Sequence, residues 1–145
     1  MKTILKFIIM ASLIFSADAL AQQHAGHLKS VSGNVTIQRG DILIVAHPGG
    51  QLVNSDIIIS KANAYAGIIF IDGTTITIGP DSQFNINSYQ FKPDVEEYAF
   101  SMYLKKGSAI YNSGKIGRLS PESVTLSTPT ASIGIRGTRF ILEVE

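Results

Sequence analysis

Thr128-Pro129-Thr130-Ala131-Ser132-Ile133-Gly134-Ile135-Arg136-Gly137-Thr138-Arg139-Phe140 is the densest run of unusual local chemistry in the chain. Pro129 fixes φ and has no N–H, so Thr128-Pro129 marks a strand edge or entry and not the middle of a sheet. Ala131, Ile133 and Ile135 then alternate with Ser132, Gly134 and Arg136. That is the period of a strand buried on one face. Gly137 interrupts the alternation, which predicts a bulge or a close backbone approach. Arg136 and Arg139 are three apart and would face opposite sides of a regular strand; one inserted residue at Gly137 puts both on one surface. Paired guanidinium groups can clamp a carboxylate or phosphate in bidentate fashion. The alternative is that they close the fold by pairing with Asp72, Asp81 or Glu143. Arg136, Gly137, Thr138 and Arg139 are therefore the candidate binding residues.

Outward from this stretch the chain is a series of short apolar runs separated by turn residues. Val31, Gly33, Val35 and Ile37 share one face of a first strand, and Arg39-Gly40-Asp41 turns into the run Ile42 to Val45. His47-Pro48-Gly49-Gly50 is loop punctuation. Ile57 to Ile59 and the alternation from Ala62 to Phe70 give further strands. Asp72-Gly73 is the best two-residue hairpin signal, returning through Ile76 and Ile78 to a stop at Gly79-Pro80-Asp81. Phe84 and Ile86 form an apolar face, Tyr89 to Glu97 reads as a loop or hairpin tip, and Tyr98, Phe100, Met102 and Leu104 share the next face. Lys105-Lys106-Gly107 predicts a turn into Ser108 to Tyr111. Around Pro121 the chain has room for one helical turn at most. Apolar residues nowhere recur at three and four after the amino terminus, so almost no helix is expected there. About ten short strands at this spacing predict an antiparallel sandwich or barrel.

The ordered set of these residues resembles the FecR-like periplasmic domain family. It comprises Gly33-Asn34-Val35, Asp56-Ile57-Ile58, Phe70 to Thr74, Ile76 to Ser82, Leu104 to Ser108, and Thr128-Pro129 followed by Ile135 to Phe140. The resemblance runs from Val31 to Ile141. It implies an all-β antiparallel sandwich of jelly-roll type, with a β-roll as the second architecture. It also implies a non-enzymatic binding module making protein–protein contact in envelope sensing or signal transduction. Typical members carry a cytoplasmic sigma-factor-binding segment and a membrane span before this domain; neither is read in this sequence, so only the periplasmic half of that role is expected. Some members cleave themselves at a Gly-Thr bond, the threonine hydroxyl attacking the preceding carbonyl. Gly137-Thr138 is the matching dipeptide and makes self-processing an alternative reading.

Residues 1–21 read as a secretory signal: Lys2 and Lys6 are followed by the apolar run Leu5 to Phe15 and the small-x-small pattern Ala19-Leu20-Ala21. Residues 22–30 read as a polar arm, and 31–145 as the domain. The expected location is the periplasm or the exterior, with no membrane span once the signal is removed. Taking Lys2, Lys6 and Asp18 from totals of 12 basic and 11 acidic residues leaves no formal net charge. That argues against nucleic acid or an anionic membrane surface, both of which need a basic excess; the protein partner in the cell envelope is what the resemblance implies. With no cysteine, an exported domain must rest on its apolar core.

No serine or cysteine nucleophile stands in a recognisable constellation, and no glycine-rich loop opens a helix, so no enzyme, cofactor or resident metal is expected. Asp72 and Asp81 could approach as a carboxylate pair, but Asp before Gly already has a turn explanation. His24 and His27 near a free amine offer a copper or nickel alternative. Tyr65, Tyr89, Tyr98 and Tyr103, if exposed, offer a glycan or peptidoglycan platform. The last strand ends near Glu145 and predicts an open edge able to pair with a second copy.

Overall fold

A computed structural model describes residues 24–137 and 139–145; the expected signal segment and Thr138 lie outside the described residues. Among these residues the alternating runs form twelve strands: β1 His24–Ser32, β2 Val35–Arg39, β3 Ile42–Val45, β4 Gln51–Val53, β5 Ile57–Ser60, β6 Tyr65–Phe70, β7 Thr75–Ile78, β8 Gln83–Lys92, β9 Glu97–Asn112, β10 Val124–Ser127, β11 Ser132–Gly134 and β12 Arg139–Val144. Among the described residues helix is confined to α1, Lys115–Leu119, and a 3₁₀ turn at Pro121–Ser123. The hydrogen-bonded order is β3-β2-β5-β8-β9-β7-β6-β1-β4; off this path β10 and β12 also pair with β9, and β11 pairs with β10. Pairing is antiparallel except for β10 on β9.

The sheet curls about β9. Its first part pairs with β8 and β10, its last part with β7 and β12. The two wings so formed close on one core: Phe70 of β6 stacks on Tyr89 of β8 at a centroid distance of 5.1 Å, and Phe100 of β9 meets Phe70 edge-on at 5.1 Å. The fold is thus nearly all-β and antiparallel, as the alternation and the resemblance both imply.

The single strand expected through Val31, Gly33, Val35 and Ile37 is divided at Gly33 and Asn34 into β1 and β2, and four further local expectations are corrected. Lys105-Lys106-Gly107 does not end a strand, since β9 runs through it for 16 residues. Gly107 takes φ +92° and lies against Ser82, so the chain bends there without leaving the sheet. Ser82 Oγ accepts the Ser108 amide at 3.0 Å and donates to the Pro80 carbonyl at 3.0 Å, which replaces the ladder bonds lost at the bend. Second, from His24 onward the polar arm is β1, with Ala25 and Leu28 buried between β4 and β6. Third, Asp72-Gly73 is not a two-residue turn. The Gly73 amide donates to the Phe70 carbonyl and the Phe70 amide to the Thr74 carbonyl, so Ile71, Asp72 and Gly73 form a three-residue loop with only Gly73 at positive φ. Fourth, Ala131 to Phe140 is not one bulged strand: it breaks into β11 and β12, which pair with different neighbours.

Candidate functional site

The carboxy-terminal corner holds the residues singled out from sequence. β10 and β11 form a hairpin closed by Thr128, whose amide donates to the Ala131 carbonyl at 2.7 Å and whose Oγ1 accepts the Ala131 amide at 3.1 Å. Pro129, with no amide to donate, sits in this turn. After β11 the chain buries Ile135 and leaves Arg136 and Gly137 exposed before β12 opens at Arg139, also exposed. The two arginines therefore stand on a connector and at a strand start, not on a common bulged strand. Among the described residues neither forms an ion pair with Asp72, Asp81 or Glu143. Arg136 lies near Glu122, whose carboxyl is held below the usual carboxylate range by its own backbone amide and the Ser120 hydroxyl, with the Arg136 charge adding to the effect.

Two shallow depressions flank the connector. One of about 410 Å³ is lined by Pro121, Glu122, Gly134, Ile135 and Arg136. The other, about 420 Å³, lies between the β10–β11 turn and the end of β12; Pro129, Ile133, Leu142 and Val144 supply its apolar wall and Glu143 and Glu145 its charge. Among the described residues β11 pairs only with β10 and β12 only with β9. Each thus keeps a row of backbone groups free for an added strand.

Other candidates disperse. Asp72 is buried and Asp81 exposed, at opposite ends of β7, so they form no carboxylate pair. Tyr89 is in the core, Tyr98 packs on Phe91 with centroids 6.0 Å apart, and Tyr103 faces the other side of β9 from Tyr98. With only Tyr65 of the four well exposed, no stacking platform forms. His24 and His27 are exposed on β1, and no group of three or more metal-ligating side chains occurs among the described residues.

The burial of two carboxylates, Asp56 and Asp72, was missed by sequence reading. Asp56 is paired with Arg39 of β2, Nε to Oδ1 and Nη2 to Oδ2, both at 2.8 Å, and it also accepts the Val53 amide at 2.9 Å. Arg39 reaches on to the Gln51 carbonyl of β4 at 3.1 Å, tying one wing to the other. Asp72 accepts from the Tyr89 hydroxyl, the Thr74 amide and hydroxyl, and the Ile116 amide, at 2.7 to 3.2 Å. Burial pushes the Tyr89 phenol up, and the Asp72 charge adds to the shift. The available signal was an Asp directly before the apolar run Ile57-Ile58-Ile59: a carboxylate there has to find a partner. Both clusters hold the scaffold and leave the carboxy-terminal corner as the exposed candidate site.

The family model described as FecR protein matches residues 56–145, more than half of the chain. The match starts later than the resemblance read from Val31 and runs on to Glu145. No curated protein and no solved structure matches the chain.

Proposed function

The chain belongs to the FecR family, whose members generally take part in envelope signal transduction, and on that premise we propose that it is an exported, non-enzymatic interaction module whose carboxy-terminal corner engages a protein partner in the periplasm. The observation that carries this reading is the placement of two open strand edges, β11 and β12, beside an apolar groove. An extended segment of a partner can add to such an edge through main-chain hydrogen bonds while its alternate side chains enter the groove. Arg136, exposed on the connector, and Arg139, exposed at the start of β12, supply bidentate donors for acidic groups on that partner. Gly137 between them leaves the backbone approachable, since a Cβ there would meet nothing within 4 Å. Among the described residues no helix is long and apolar enough to cross a membrane.

The test is retention of an envelope protein by the purified chain, compared with an Arg136→Ala, Arg139→Ala double variant whose circular dichroism matches the wild type. Loss of a specific partner from the folded variant supports the reading. Equal retention by both, or no retained protein at all, overturns it.

A further inference from the structure

At the far edge of the sheet, remote in the strand order from the carboxy-terminal corner, β3 departs from the way edges are normally protected. Edge strands of soluble proteins carry charges, prolines or bulges that discourage pairing. β3 reads Ile42-Leu43-Ile44-Val45, with no charge and no bulge in its register with β2. Ile42, Leu43 and Val45 are 64%, 68% and 65% exposed. By contrast the open edge strand β12 exposes Arg139 and Glu143. Among the described residues β3 pairs only with β2.

The hydrogen-bond phase of the edge follows from one contact. The Ala46 amide donates to the Val35 carbonyl at 3.0 Å, and the register pairs Ile44 with Ile37 and Ile42 with Arg39. Antiparallel pairs alternate between bonded and non-bonded, so Ile42, Ile44 and Ala46 turn their backbone groups toward β2, and Leu43 and Val45 turn theirs outward. A second antiparallel strand must therefore meet Leu43 and Val45.

We propose that the occupant of this edge is a second copy of the chain, joined through β3 about a two-fold axis at Ile44. In that register Leu43 of each copy exchanges both backbone hydrogen bonds with Val45 of the other, Ile44 faces its mate, and Ile42 faces Ala46. Every cross-strand pair is apolar on apolar, the combination that stabilises a sheet. One step beyond, Asp41 of one copy comes abreast of His47 of the other, so a carboxylate acceptor and an imidazole N–H donor can meet at both ends. The neighbouring register, centred on Leu43, instead sets the Asp41 carboxylate against Val45. The contact is isologous, as a closed dimer requires.

The chain has no cysteine, so a single introduced thiol reports the register. Residues facing each other in a non-bonded antiparallel pair have Cα atoms about 4.5 Å apart, within disulfide reach. Ile44→Cys in the full chain is expected to oxidise to a covalent dimer faster than Leu43→Cys. In sedimentation the wild type is expected to show a dimer that dissociates on dilution. Val45→Lys, at an exposed position, raises the dissociation constant at least tenfold with unchanged circular dichroism, and Leu43→Lys serves if that variant fails to fold. A wild type that stays monomeric at high concentration overturns the proposal. So does a folded lysine variant that still dimerises, or preferential cross-linking through Leu43→Cys. None of these readouts depends on Arg136 or Arg139, so this proposal and the partner-binding reading can fail separately.

Discussion

Tyr89 and Asp72 are joined twice: the Tyr89 hydroxyl donates to Asp72 Oδ1 at 2.9 Å and accepts from the Asp72 backbone amide at 2.8 Å. Tyr89 comes from β8 in one wing of the sheet and Asp72 from the β6–β7 loop in the other. The same carboxylate takes the Ile116 amide, and the Asp72 carbonyl takes the Lys115 amide at 2.9 Å, so α1 is anchored on the loop as well. Tyr89→Phe keeps the ring stack on Phe70 but leaves a buried carboxylate oxygen and a buried amide each short of a partner. Loss of a hydrogen bond to a charged group costs about 1.5–3 kcal/mol. Urea unfolding is expected to show a stability loss of that order, and an unchanged midpoint would mean that the two bonds contribute nothing net.

The same pair gives an alkaline limb to stability. Burial and the neighbouring carboxylate raise the Tyr89 phenol above its ordinary value, so the folded state holds that proton more tightly than the unfolded state. The contribution is fully present below the unfolded phenol pKa of about 10 and is lost as pH rises beyond it. The loss approaches about 1.4 kcal/mol per pH unit for one such group. Tyr111 is shifted in the same direction by burial and adds to the fall. Unfolding free energies measured from pH 8 to 11 are expected to drop above pH 10 in the wild type and less steeply in Tyr89→Phe. Parallel curves would assign the limb to other groups.

Arg39 and Asp56 invite a contrast with the exposed pair of Lys92 and Glu97. The Asp56 side chain is 0% exposed and its two oxygens are held by Arg39, whereas the Lys92 and Glu97 side chains are 44% and 55% exposed and 3.8 Å apart. Removing one partner of a buried pair strands the other charge, at a cost of about 3–5 kcal/mol, and the partial exposure of Arg39 puts this case at the lower end. Arg39→Ala is therefore expected to cost about 3 kcal/mol. Lys92→Ala is expected to cost less than about 1 kcal/mol. Thermal unfolding of the two variants side by side separates them, and equal shifts would contradict the assignment.

The strands were legible where large apolar residues alternate, as from Tyr65 to Phe70 and from Tyr98 to Leu104. They were illegible where the inward residues are small. β1 buries Ala25, Gly26 and Leu28 among outward His24, His27 and Lys29, and such a pattern resembles a polar arm more than a strand. Asp72 was misplaced for a different reason. Next to Gly73 it carries every local mark of an exposed turn, and what buries it is Tyr89 and Ile116, residues 17 and 44 positions away. The candidate corner was found as a stretch but not as a shape. The break between β11 and β12 depends on which neighbours each strand meets, and β10 and β9 supply those from elsewhere in the chain.

Two glycines that look alike in sequence separate by environment. Gly107 and Gly137 each interrupt an apolar alternation, but only Gly107 lies at positive φ, and a Cβ there would come within 2.5 Å of the Ser82 Cα. Ser82 cannot withdraw, because its Oγ accepts the Ser108 amide and its own amide is held by Ser60 Oγ at 3.0 Å. Gly107→Ala must therefore unbend β9 or displace the β7–β8 connection, and an alanine at a left-handed position adds its own conformational cost. A loss of about 2 kcal/mol or more is expected, at the upper range of single substitutions. Gly137→Ala meets open space and is expected to stay within about 0.5 kcal/mol of the wild type, as surface changes do. Denaturant midpoints of both variants measure the difference. If Gly137→Ala proves the more damaging, the bend in β9 is not what the Gly107-Ser108 dipeptide secures, and the connector before β12 is more tightly constrained than its exposed surface indicates.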